Sequence, residues 1–184
     1  MDNLTLIIPA KNENESLPIF LDELKNYNCK KLIIIQRDDV STKQSVLEDD
    51  NTKILYQKIN GYGGAIIEGI NNSTTKFSCI INADGSMNPK YLEEMLNICI
   101  NQDLVFASRY IKPTGGSDDD TIVTFIGNKI FTFLGNFLYK LNLSDILFTY
   151  ILGKTSSFKN LDLNSRDFRL CVELPIKAKK LNYV

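Results

Sequence analysis

The chain of 184 residues contains no histidine and no tryptophan. Without histidine, a Ser-His-Asp triad is excluded, and so is a His-ligated zinc site. A metal ion must then rest on oxygen ligands, which selects Mg2+ or Mn2+. A general base must be a carboxylate, Lys, Tyr or Cys. Cysteine is sparse: Cys29, Cys79, Cys99 and Cys171 form no CxxC pair, and three of them sit in apolar runs. That pattern predicts buried free thiols in a reducing compartment rather than disulfides. Charge of one sign is also lacking. The 21 Lys and Arg balance 22 Asp and Glu to a net charge of -1, so no basic field favours nucleic acid as a partner. No signal peptide is expected, since Met1-Asp2-Asn3 leads directly into the first strand, and no internal repeat is visible.

What is present suits one α/β domain. Hydrophobic residues make up 43% and charged residues 23%, enough apolar content for a full core at this length. Strands are predicted over Leu4–Pro9, Lys31–Ile35, Lys53–Tyr56, Phe77–Asn82 and Asp103–Ala107, each short and rich in β-branched or other apolar residues. Helices are predicted between them. Leu17, Phe20, Leu21 and Leu24 mark one over Glu15–Asn26; Ala65, Ile66, Ile67 and Ile70 mark one after a glycine cluster; Leu92, Met95, Leu96 and Cys99 mark one over Tyr91–Ile100. Strand-helix alternation implies βαβ units and a mostly parallel sheet.

The pattern changes after Arg109. Pro113–Asp120 (PTGGSDDD) is a loop, either a mobile element beside a site or a solvated connector. Ile122–Leu141 is dense in Ile, Phe and Leu but interrupted by Asn128, Lys129, Asn136 and Lys140, which argues against a bilayer span. A core or dimer helix is the first expectation, and an interfacial helix on a membrane surface the second. The end of the chain reads as a helix leading into a strand that barely begins, as though cut before its natural boundary.

Four polar clusters follow strands. They are Pro9-Ala10-Lys11-Asn12-Glu13, then Asp38-Asp39-Val40-Ser41-Thr42, then Gly61-Tyr62-Gly63-Gly64, then Asn82-Ala83-Asp84-Gly85-Ser86. In a parallel sheet such turns share the carboxyl edge and converge on one ligand. Asp84 stands where a carboxylate would hold a metal ion or a metal-bound phosphate, or cap the next helix. The glycines do not form a GxGxxG fingerprint, and no glycine-rich loop follows the first strand, which makes a nucleotidyltransferase a distant reading.

These motifs, in order, resemble the family 2 glycosyltransferases of the GT-A fold, most of all the polyprenyl-phosphate sugar transferases. LTLIIPAKNENESL, RDDVSTK, KINGYGGAIIEGI, INADGSMNPKYLEEML and DLVFASRYI each track a family segment; so do Leu143-Ser144-Asp145 and, beyond it, SFKNLDL and DFRLCVELPIKAKKLNY. The resemblance covers nearly the whole chain. It implies a Rossmann-like nucleotide-binding sandwich with a nucleotide-sugar half (1–110) and an acceptor-side half (111–184).

By resemblance, Pro9, Ala10, Glu13, Gly64, Asn82 and Ala83 line the nucleotide-sugar site, and Asp38 or Asp39 reads the base. Asp84, with Asn82 and Ser86, holds Mg2+ or Mn2+. Arg109 meets phosphate, or alternatively pairs with a local carboxylate. Asp145 orients or deprotonates the acceptor, or caps a helix. Four departures stand out. Asn82 replaces the first acid of the family's DxD, Val40 the glycine of its DDGS, and Lys11 the usual aromatic. Thr121–Asn128 lacks the Arg of many relatives.

The resulting expectation is an inverting, metal-assisted transfer from a nucleotide-sugar to a lipid phosphate, in the cytoplasm at the inner membrane face. A saccharide acceptor is the rival within the class. A non-catalytic nucleotide-sugar binder, favoured by Asn82, is the rival outside it.

Overall fold

The computed structural model describes residues 1–111 and 121–183. The PTGGSDDD segment lies outside the described residues. The first half follows the predicted order of strands, with a short helix after the second strand that the sequence reading did not mark. Strands β1 (Leu4–Pro9), β2 (Lys30–Ile35), β3 (Thr52–Tyr56) and β4 (Phe77–Ile80) are joined by helices α1 (Ser16–Glu23), α2 (Val40–Gln44) and α3 (Tyr62–Asn72). Helix α4 (Leu92–Cys99) leads to β5 (Leu104–Phe106). The apolar runs of β1, β2 and β4 are long enough only for strands, and both their faces are covered by helices, so they lack polar alternation.

The second half brings two corrections. After α5 (Ile122–Tyr139), the segment Ile151–Lys154 forms a strand, β6, that the sequence reading passed over. It enters the sheet between β4 and β5, giving the order β3-β2-β1-β4-β6-β5. It runs antiparallel to both neighbours, while the other pairings are parallel. Beyond α6 (Thr155–Asn160) and α7 (Leu170–Lys180), the residues through Tyr183 turn without forming the expected last strand. Strand β4 also ends at Ile80, which places Asn82 in the turn rather than on the strand.

Two apolar layers enclose the sheet. Leu4, Leu6, Ile8, Phe20, Ile33, Cys79 and Leu92 pack on one face. Ile7, Ile34, Ile66, Ile80, Phe158 and Leu174 pack on the other. All four cysteines are free and buried, as the apolar runs around them predicted.

Helix α5 does not follow this scheme. It is neither a core helix nor an ordinary amphipathic one. Among the described side chains, Asn128 and Thr132 are the buried ones, while Val123, Ile126, Ile130, Phe133, Phe137 and Leu138 are exposed, several by more than 60%. Its polar stripe at spacing four (Asn128, Thr132, Asn136) faces the protein. The Asn128 amide donates to Asp145, Thr132 Oγ1 receives the Ile146 N–H at 3.2 Å, and Asn136 binds both the N–H and the C=O of Leu143. Gly135 has Ile146 directly against it, so a side chain there would collide. No helix among the described residues is long and apolar enough to cross a membrane.

Candidate functional site

The carboxyl ends of the parallel strands β1 to β5 and the start of antiparallel β6 share one edge of the sheet. The four polar clusters lie along it, and two of the links between them are direct hydrogen bonds. The first joins the turns after β1 and β2. Asn12 has a left-handed backbone (φ 58°), and its N–H donates to Asp39 Oδ2 at 2.8 Å. The Glu13 N–H donates to Thr42 Oγ1 at 2.9 Å. Asp39 Oδ1 caps α2 through the Thr42 N–H and also accepts from Ser41 Oγ. Burial alone would push the Asp39 carboxyl up. The Asn12, Thr42 and Ser41 donors outweigh that and hold it below the ordinary carboxylate value, so it stays ionised. Both its oxygens are thus engaged within the protein, while Asp38 beside it is exposed. Glu13 accepts from Ser16 Oγ, and Pro9 and Ala10 close the floor, where the Ala10 N–H extends the ladder to Ile34.

A shallow groove of about 410 Å3 adjoins this turn, lined by Arg37, Val40, Lys43, Gln44 and Tyr56. The Tyr56 ring lies 5.5 Å from the Arg37 guanidinium and 5.6 Å from the Lys43 ammonium.

The second link joins the glycine turn to the Asn82–Ser86 turn, through a residue the sequence reading quoted but gave no role. The Tyr62 hydroxyl donates to Asn82 Oδ1 at 2.9 Å and lies 2.6 Å from Thr149 Oγ1. Its ring stacks on Phe168 at 4.8 Å. Burial, with the nearby Asp84 charge adding to it, pushes the Tyr62 phenol far above its ordinary value and keeps it protonated. The glycines beside it serve the chain's own packing. Gly61 takes φ 105°, and the Gly64 N–H donates to the Arg166 carbonyl at 2.9 Å, with the Ile59 carbonyl too close for a Cβ.

Asp84 is exposed and does not cap the following helix. Its Oδ1 accepts from the Ser86 N–H at 3.0 Å and Ser86 Oγ at 2.7 Å, while Asn88 caps the turn at Pro89. Ala83 is buried beneath it. No group of three or more acidic or sulfur ligands occurs among the described residues.

At the other end of the edge, Arg109 and Asp145 meet. Arg109 Nε and Nη2 clasp the carboxylate at 2.8 and 3.0 Å, and the Arg109 N–H adds a third bond at 3.2 Å. Asn128 supplies a fourth donor at 2.5 Å. The Asp145 side chain is wholly buried and the Arg109 side chain 22% exposed. The guanidinium carbon lies 5.3 Å from the Tyr110 ring and 5.0 Å from the Phe148 ring. Of the two outcomes the sequence left open for Arg109, the carboxylate pair is the one observed. Asp145 caps no helix. Its two oxygens receive four donors, three from Arg109 and one from Asn128. The sequence reading missed Asn128, Phe148 and Thr149 here. The polar interruptions of α5 at spacing four were the signal for Asn128.

A family model described as "Glycosyl transferase family 2" matches residues 5–162. An uncharacterized glycosyltransferase of Mycobacterium tuberculosis is 28% identical over 99 residues, 51% of this chain and 44% of its own length, so the match spans less than half of that relative. The undecaprenyl-phosphate mannosyltransferase of Micrococcus luteus is 25% identical over 192 residues, 95% of this chain and 77% of its own length. Among solved structures, glucosyl-3-phosphoglycerate synthase from Mycobacterium tuberculosis, in complex with Mn2+, uridine-diphosphate and phosphoglyceric acid, superposes with a TM-score of 0.70. It is 11% identical, over 99% of this chain and 66% of that one, a likeness of fold.

Proposed function

Because the chain belongs to glycosyl transferase family 2, we propose that it transfers a sugar from a nucleotide-sugar to the phosphate of a polyprenyl lipid at a membrane surface. In this reading the nucleotide lies over the carboxyl edge, along Pro9, Ala10, Glu13, Gly64, Asn82 and Ala83. Asp39 is spent on holding the loops after β1 and β2 in register. Asp38, exposed beside it, is the carboxylate left to accept from the base.

The residues at Asp84 and Ser86 suit Mg2+ or Mn2+ carried by a diphosphate, with one carboxylate oxygen and a hydroxyl to offer. When bound, such an ion supplies positive charge to the departing diphosphate. Arg109 adds a fixed guanidinium on the acceptor side, preset by Asp145. An acceptor phosphate is anionic at neutral pH and needs no base. Its oxygen forms the new bond to the anomeric carbon as the bond to the diphosphate breaks on the opposite face, which inverts the centre. The absence of histidine is no obstacle to this chemistry.

The observation that carries the lipid acceptor is the polarity of α5. This helix of 18 residues, about 27 Å long, presents its apolar side chains outward and contains Lys129 as its one charged residue. Its inward face is bonded to Asp145. A lipid surface is the occupant that fits an apolar face bearing cations (Lys129, and Lys140 at its C-terminal cap) and no acid. The Micrococcus luteus relative, named for an undecaprenyl-phosphate acceptor, supports the same reading.

The test is incubation with GDP-mannose or UDP-glucose, Mn2+ and polyprenyl phosphate, with phosphoglycerate as a parallel acceptor, followed by mass spectrometry. A lipid-linked sugar is expected. Product on phosphoglycerate alone would move the acceptor to a soluble phosphate. No product from a folded protein with either donor would reject the reading.

A further inference from the structure

We propose that Phe168 is the platform on which the sugar ring of the nucleotide-sugar stacks. This rests on the nucleotide-sugar reading of the edge and deepens it.

Phe168 lies in the loop between α6 and α7, beyond the residues 5–162 that the family model matches. The backbone of this loop is fixed from two sides. On one side, the Glu173 carboxylate accepts from the N–H groups of Asn164 at 2.9 Å and Ser165 at 2.6 Å, and Lys177 pairs with it at 2.8 Å. On the other, the loop is pressed against the first turn of α3. The Arg166 carbonyl accepts from the Gly64 N–H at 2.9 Å. A Cβ at Gly61 would collide with the Arg166 carbonyl, and one at Gly63 with the carbonyls of Ser165 and Asp167. The glycine cluster is therefore a seat for this loop. An N–H in the first turn of a helix is otherwise free for an anion; here the chain itself takes it.

With its backbone turned inward, the loop presents its side chains outward. Arg166, Asp167, Phe168 and Arg169 are all exposed, and Asp167 pairs with Arg169 at 2.9 Å. One face of the Phe168 ring stacks on Tyr62, with centroids 4.8 Å apart and planes 16° apart. Phe168 is 72% exposed, so the other face is open. A single exposed apolar side chain carries no meaning by itself. This one is held by a fixed loop, and one ring and one hydrogen bond separate it from the site, since the Tyr62 hydroxyl donates to Asn82 at 2.9 Å. The Asp84 carboxylate is close enough to act on the same phenol.

In the nucleotide-sugar reading Asp84 faces the diphosphate, and the sugar is the next group along the donor. A hexose presents C–H groups on one face and hydroxyls around its rim. The first suit an open aromatic face; the second suit the half-exposed Asn82 and the exposed Arg166. The base belongs elsewhere. Asp38 follows β2, and β1 stands between β2 and β4 in the sheet.

The experiment is isothermal titration of the intact protein, with Mn2+ present, using GDP, GDP-mannose, UDP and UDP-glucose. The quantity read is the affinity for a nucleotide-sugar divided by that for its diphosphate. Phe168→Ala should lower this ratio about three- to tenfold, the range of one aromatic stacking contact, and leave the affinity for the diphosphate unchanged. Phe168→Tyr, which keeps the ring, should keep the ratio. A purely structural role, acting through Tyr62 and Asn82, would weaken the diphosphate as well. That result would overturn the inference, as would an unchanged ratio in Phe168→Ala or an equal fall in Phe168→Tyr. These outcomes leave the nucleotide-sugar reading standing. Absence of binding of both nucleotide-sugars by the unaltered protein would overturn both.

Discussion

Helices α3 and α5 are held to the same protein by opposite means. Helix α3 buries Ala65, Ile66 and Ile70 against the sheet and turns Asn71 and Asn72 to water. Helix α5 buries Asn128 and Thr132 and turns Ile130, Phe133 and Phe137 outward. The first is fixed by the hydrophobic effect, which is strong and indifferent to direction. The second is fixed by hydrogen bonds, which are directional and modest in net worth. A helix seated in this way stays on one register while its apolar side remains available. The difference marks α3 as scaffold and α5 as the face that the proposed lipid surface would cover.

The largest effect should come from the joint that fixes α5. Asp145→Ala leaves the Arg109 guanidinium without its buried partner and frees Asn128, which should cost about 3–5 kcal/mol in urea unfolding. Ile66→Ala in α3 is next, at about 2–4 kcal/mol for a fully buried aliphatic side chain.

A smaller effect is expected at the loop before α7. Burial alone would raise the Glu173 carboxyl, but Lys177 and the N–H groups of Ser165 and Asn164 bring it down to about 2. A carboxyl depressed on folding stabilises above its unfolded value, near 4.3, and loses that contribution as pH falls toward 2. Glu173→Gln should therefore lower the melting temperature at pH 7, and the gap from the unaltered protein should close between about pH 4 and pH 2. The smallest effect on stability should come from Phe133→Ser with Phe137→Ser on α5, within about 0.5 kcal/mol for each site. The same pair should abolish flotation with anionic phospholipid vesicles. A large loss of stability would instead mean that this face is covered within the molecule.

The first four strands and the turns that follow them were legible because each apolar run is bounded by Gly, Pro, Asn or Asp, and because a parallel sheet places such turns on one edge. Strand β6 was not legible. Its four residues, Ile151–Lys154, continue an apolar stretch without alternation, and only non-local pairing with β4 and β5 defines them. The polar clusters announced a site, but not how their side chains are divided. Asp38 and Asp39 read alike as base readers, and Asp39 is the one that also binds backbone N–H groups; Arg109 was left between phosphate and a local carboxylate, and Asp145 is that carboxylate. Sequence spacing reports which residues share an edge. It does not report which of their hydrogen bonds the fold has already used.

The most direct test of the account compares two acceptors with one protein pair. Transfer from the nucleotide-sugar is measured by mass spectrometry to a long-chain polyprenyl phosphate in vesicles and to a short-chain, water-soluble analogue, with the unaltered chain and with Phe133→Ser/Phe137→Ser. The account predicts that the double variant loses transfer to the vesicle-borne acceptor and keeps it to the soluble one. Equal transfer by both proteins to both acceptors would contradict it.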